Sequence, residues 1–173
     1  MDTAMTSMNA ASDPTMEAIG KAVVAGHQGN VEAARRDLLT LWSEIGTSGD
    51  PLHRCTLAHY LADLYEDPAE ALVWDVRALD AADALSGERA QQQHGDLNVA
   101  GFYPSLYLNI ADNLRRLGAF AAAAEHIDKA GQHAPALSDD AYGNTIRAAI
   151  AEVHHAIDNG DTARRASAPG VAR

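Results

Sequence analysis

At 173 residues the chain has room for one domain that buries its own core without disulfides or metals, and its single cysteine, Cys55, forms no internal disulfide. Aromatic residues make up only 5% of it and alanine dominates, so close-packed helices are expected and a sheet is not. The formal net charge of -11 counts against nucleic acid, whose phosphates need clustered lysine and arginine, and points to a neutral or basic partner.

The first thirteen residues, MDTAMTSMNAASD, have no basic start and no apolar core. They are read as a disordered N-terminal tail and not as a secretory signal. No stretch approaches the ~20 apolar residues that a bilayer span requires, and the expectation is a cytoplasmic protein with no membrane partner. Helices are then expected to start at Asp13-Pro14, at Asn30 before Val31-Glu32, and at Asp50-Pro51 and Asp67-Pro68. In the Asp-Pro pairs a capping carboxylate precedes a proline suited to the first helical position. Tyr103-Pro104 and Ser138-Asp139-Asp140 mark two more starts, and Gly118-Ala119 a tight corner, giving about seven helices.

Apolar spacing inside these segments is helical. Leu72, Val76 and Leu79 share a stripe with Ala71, Ala78 and Ala82, and Ile110, Leu114 and Leu117 form another. Short connections at Gly29-Asn30, Glu66-Asp67 and Gly118-Ala119 require antiparallel neighbours, so residues 14–159 are expected to form helical hairpins in series. Trp42 and Trp74 are placed between hairpins. Residues 86–102, with Gln91-Gln92-Gln93, exceed what a helix-helix turn needs and are read as an extra helical turn or a loop. Residues 160–173 hold Arg164, Arg165 and Arg173 beside Ser167, Pro169 and Gly170, and are read as a solvated, disordered tail without a function.

One segment carries a repeat signature. Tyr107, Ile110, Ala111 and Leu114 occupy a first helix, and Gly118, Phe120, Ala123, Ala130 and Pro135 follow at fixed spacing in the turn and second helix. This resembles the tetratricopeptide repeat, a helix pair of about 34 residues. Gly29, Ala34, Leu38 and Leu41 fit the same frame, and so do Ala58, Ala71 and Ala78 with one extra residue in the turn. The resemblance implies a short right-handed solenoid of antiparallel hairpins, with residues 138–159 as a terminal capping helix.

It also implies a non-catalytic adaptor that takes a protein or peptide in the groove formed by the first helix of each pair, with no cofactor. The groove candidates are His59 and Asp63 in the second repeat and Ser105, Asn109, Asp112 and Arg116 in the third, flanked by Tyr60 and Asn113. The lysines that grip a terminal carboxylate in related grooves are missing here. Asp63 and Asp112 instead favour a ligand with a basic residue. Phe102 and Tyr103 are read mainly as core, with Tyr103 stapling a helix entry. Self-association through exposed faces is compatible with this architecture.

Two other readings remain open at this point. One is a sensory module that holds a small molecule or signalling peptide, with residues 86–102 closing over it. The other is a thiol- or metal-dependent enzyme built on Cys55, His59 and Asp63, which recur every four residues on one helix face. Side chains at that spacing lie about 5–6 Å apart and point in parallel, whereas a tetrahedral metal needs converging ligands. The adjacent His154 and His155 point about 100° apart and do not share an ion. No glycine-rich phosphate loop, Cys-x-x-Cys pair or serine elbow is present, so the enzyme reading ranks last.

Overall fold

A computed structural model describes residues 12–87 and 97–169 of the chain. Seven α-helices and two short 3-10 turns occur among the described residues, with no strand. The helices are α1 (Pro14–His27), α2 (Val31–Ile45), α3 (Pro51–Ala62), α4 (Pro68–Leu85), α5 (Tyr103–Arg116), α6 (Phe120–His133) and α7 (Ala141–Asp158). The expected N-terminal tail, apart from Ser12 and Asp13, and the centre of the 86–102 connection lie outside the described residues.

Helix starts follow the carboxylates. Met16 N donates to Asp13 at 2.9 Å, Leu52 N to Asp50 at 2.8 Å, Ala69 N to Asp67 at 2.8 Å and Gly143 N to Asp140 at 2.7 Å. Each cap satisfies an amide that the helix itself leaves without a partner. Asn30 precedes α2 without a side-chain cap bond. Before α5, a 3-10 turn over Val99–Phe102 feeds straight into the helix, and Asn98 takes the capping role by accepting from Gly101 N at 3.3 Å. Gly118 turns the chain between α5 and α6 with a φ of 77°, a conformation that a Cβ disfavours.

The helices pack as neighbouring hairpins, α1 with α2, α3 with α4 and α5 with α6; α4 lies against α5, and α7 covers α5 and α6. A first core joins Ala34 and Leu38 of α2 to Ala58 and Leu61 of α3 and to Ala78, Ala81 and Ala82 of α4, all fully buried. Trp42 and Trp74 meet edge to face at 5.2 Å, with the Arg77 guanidinium 4.3 Å above the Trp74 ring. A second core gathers Leu108 and Ala111, Ile127 and Ala130, and Val153 from α5, α6 and α7.

The apolar stripes shift from their expected positions. On α4 the buried line is Ala71, Trp74, Asp75, Ala78, Ala81, Ala82 and Leu85, while Val76 points outward and is 50% exposed. Small residues fill the crowded side because α4 is pressed between α3 and α5. Leu117 is likewise exposed at the corner after α5.

Residues 161–169 are mostly exposed, as a solvated tail would be, with Arg165 as the exception. They turn back beneath α7 onto α5, and Arg165 is 8% exposed. The cause is charge: buried carboxylate and guanidinium groups on α5 need partners, and this segment supplies them.

Candidate ligand-binding groove

The groove is built from helical register. On α3 the four-residue spacing sets Cys55, His59 and Asp63 along one line, and on α5 Ser105, Asn109, Asp112 and Arg116 form a second. Cys55, His59 and Asp63 face Ser105 and Asn109 across a cleft of about 520 Å3 whose further wall is α7, through Tyr142, Ile146 and Ala149. Arg165, Ser167 and Pro169 roof it, and Tyr60 and Phe102 line its apolar side. A small polar annex of about 40 Å3 continues past Asp63 and Asn109 to Asp75 and Asp112.

The eight expected groove residues therefore divide. His59, Tyr60, Asp63, Ser105 and Asn109 line the cleft, whereas Asp112, Asn113 and Arg116 line the annex and already have partners. Asp112 Oδ1 accepts from Arg115 Nε at 3.0 Å and Nη2 at 2.7 Å, and its Oδ2 accepts from Arg165 Nε at 3.0 Å. Arg115, 0% exposed, also donates to the carbonyls of Asp161 and Ala163. Arg165 Nη1 reaches Glu152 Oε2 at 3.0 Å, and Ser167 Oγ donates to the same oxygen at 2.6 Å. The Ser167 hydroxyl, then Arg165, holds the Glu152 carboxyl below its ordinary range. The segment is thus a strap fastened by charge-assisted hydrogen bonds.

Arg116 Nη2 donates to the Glu66 carbonyl at 2.8 Å and so ties α5 to the α3–α4 turn. Ser105 Oγ donates to Phe102 O at 3.0 Å, which steadies the entry to α5. Tyr103, half-buried, packs against the first core with Phe102, and in addition its hydroxyl donates to Asp83 at 2.8 Å while the ring stacks on His133 at 5.1 Å.

Two buried polar atoms, His59 Nδ1 at the cleft and Asp75 Oδ1 in the annex, have no hydrogen-bond partner among the described residues, and the half-buried Asp63 lies between them. His59 Nδ1 is buried without a hydrogen bond, its ring lying edge-on to Tyr60 at 5.4 Å. No hydrogen bond or ion pair reaches Asp63 among the described residues, and burial pushes its carboxyl above the usual range. Asp75, 1% exposed, accepts from Asn113 Nδ2 at 2.7 Å through Oδ2, while Oδ1 has no partner. Burial, reinforced by the negative charge of Asp63, raises its pKa well above the ordinary value.

Asp75 is absent from the sequence-derived set, yet a signal for it existed. It falls on the line of Ala71, Ala78 and Ala82, so a carboxylate occupies a core position of a small-residue stripe. Arg165 was legible only as part of a tail.

Cys55 is 3% exposed, and burial pushes its thiol up to about 12, so it stays protonated at neutral pH. Among the described residues no group of three or more histidine, cysteine, aspartate or glutamate side chains is placed to hold a metal ion. No described helix is long and apolar enough to cross a membrane. Compared with known proteins, the chain matches no family model, no curated sequence and no solved structure.

Proposed function

We propose that the chain is a non-catalytic peptide-binding adaptor of tetratricopeptide type, whose groove takes an extended segment that presents an arginine to Asp112. The observation that carries this reading is the occupant already in place. Residues 161–169 form no regular helix, and Arg165 fills the position that the acidic groove was expected to offer a basic ligand. A partner segment with an arginine would meet the same acceptors, Asp112 and Glu152, and would compete with the strap.

Removing Arg165 leaves Asp112 still paired with Arg115, so the full-length Arg165→Ala variant retains a neutralised core. The test is fluorescence anisotropy with a labelled peptide of residues 161–169 added in trans. Arg165→Ala binds it at least tenfold tighter than the wild type, whose own strap competes, and replacing Arg165 of the peptide by glutamine, with Arg164 kept, abolishes the gain. Equal affinity for the arginine and glutamine peptides would sink the reading.

A further inference from the structure

Below the Arg165 contact, the cleft between α3, α5 and α7 is a second binding volume of different chemistry. Its size, about 520 Å3, lies within the range of pockets that enclose a small organic molecule. Its walls are largely apolar: Phe102, Leu106, Leu108, Ile146 and Ala149 face it from α5, its entry turn and α7. One end is polar, and the polarity is unbalanced. Asp63 has no hydrogen-bond or ion-pair partner among the described residues, and beside it His59 Nδ1 is buried and unpartnered. Asp75, behind them in the annex, is almost wholly buried with Oδ1 unpartnered.

Among the described residues no cation lies within ion-pair distance of Asp63; Arg164 acts on it only from further away. Arg165, which also lines the cleft, is already committed to Asp112 and Glu152. The apolar body of the cleft thus ends at a half-buried carboxylate to which no group among the described residues donates, beside a buried imidazole nitrogen that also lacks a partner.

We propose that this cleft binds a small organic cation, an apolar body bearing one ammonium group, with Asp63 as its counter-ion. The ammonium supplies donors to the Asp63 carboxylate and to His59 Nδ1 when the imidazole carries its proton on Nε2. The apolar body lies against Phe102, Leu106 and Ile146, shielded by the strap. A neutral isostere fills the same space and leaves the carboxylate without a charge partner, and an anionic one meets repulsion. The ligand class follows from the residues without the peptide reading. A peptide that fails to bind Arg165→Ala leaves this site intact, and an empty cleft leaves the Asp112 contact intact.

The experiment is isothermal titration calorimetry of the full chain with 4-phenylbutylamine and with 4-phenyl-1-butanol, molecules of matched shape that differ in the charged donor. Wild type binds the amine at least tenfold tighter than the alcohol. Asp63→Asn erases that preference while keeping weak binding of both. Ala149→Phe, which projects a ring into the apolar wall, weakens both. Circular dichroism melting of each variant verifies folding. The proposal is overturned if wild type binds neither compound at millimolar concentration, if it does not discriminate between them, or if the preference survives in Asp63→Asn.

Discussion

Asp112 on α5 and Arg165, fifty-three residues later, meet at 3.0 Å in the interior, and their pairing decides where the end of the described chain lies. The carboxylate is shared, with Arg115 on one oxygen and Arg165 on the other. Its position is therefore fixed from within α5, while the strap is fastened from outside.

Strap release is the first consequence. Arg165→Ala removes the bonds to Asp112, Glu152 and Ser167 but leaves the Arg115–Asp112 pair in place. Hydrogen bonds to charged groups contribute about 1.5–3 kcal/mol each at most, so local opening of the strap becomes about ten- to hundredfold more frequent. Trypsin cleavage after Arg164, followed by intact mass, accelerates by that factor while the global melting temperature changes little. An unchanged cleavage rate would mean that the strap is held by something else.

Close approach within the α5–α6 hairpin gives the second prediction. Ala123 is fully buried at the position where the repeat signature calls for a small residue. Ala123→Leu inserts three carbons into a filled space and costs on the order of 1–3 kcal/mol. Urea denaturation measures the loss; a stability equal to wild type would show that the hairpin has slack there.

The legible part of the fold was the part written in local chemistry. Asp13, Asp50, Asp67 and Asp140 announced helix starts because a cap is satisfied within three residues. The hairpins followed from short turns such as Gly118. The face of α4 was misjudged because Val76 outweighs its alanine neighbours in hydrophobicity, whereas close packing selects for size. For the groove, helical register placed His59, Asp63, Ser105 and Asn109 around one cleft. The strap was hidden because arginine, serine and proline compose a solvated tail equally well. Only the buried Asp112–Arg115 pair, a tertiary feature, recruits Arg165.

Cys55 supplies a third test. A thiol raised from 9.0 to about 12 has about a thousandfold less thiolate at neutral pH than its exposed counterpart, before steric protection is counted. Iodoacetamide therefore modifies native protein at least that much more slowly than protein unfolded in urea. Cys55→Ala, which keeps the Cβ, leaves binding of the arginine peptide by the Arg165→Ala chain unchanged. Rapid native labelling would return Cys55 to consideration as a nucleophile.

The fourth prediction concerns Asp75. Its folded-state pKa is raised by burial, with Asp63 and then Asp112 adding repulsion and Asn113 and Asn109 partly opposing them. The folded protein thus holds this proton more tightly than the unfolded chain does. Stability from this group is complete below the unfolded value near 3.8 and is lost as pH rises through the folded value. Asp63, raised by burial, acts in the same direction, while Asp13 and Glu152, both lowered, contribute stability that disappears only in acid. Asp75→Asn keeps an acceptor for Asn113 Nδ2 and removes the titration. The variant gains on the order of 1–3 kcal/mol at pH 8, and the gain shrinks as pH falls toward 4. Urea midpoints for both proteins across that range provide the measurement. Parallel curves would show that Asp75 does not change its protonation on folding, and a loss of stability at pH 8 would show that its Oδ1 accepts a bond that asparagine cannot replace.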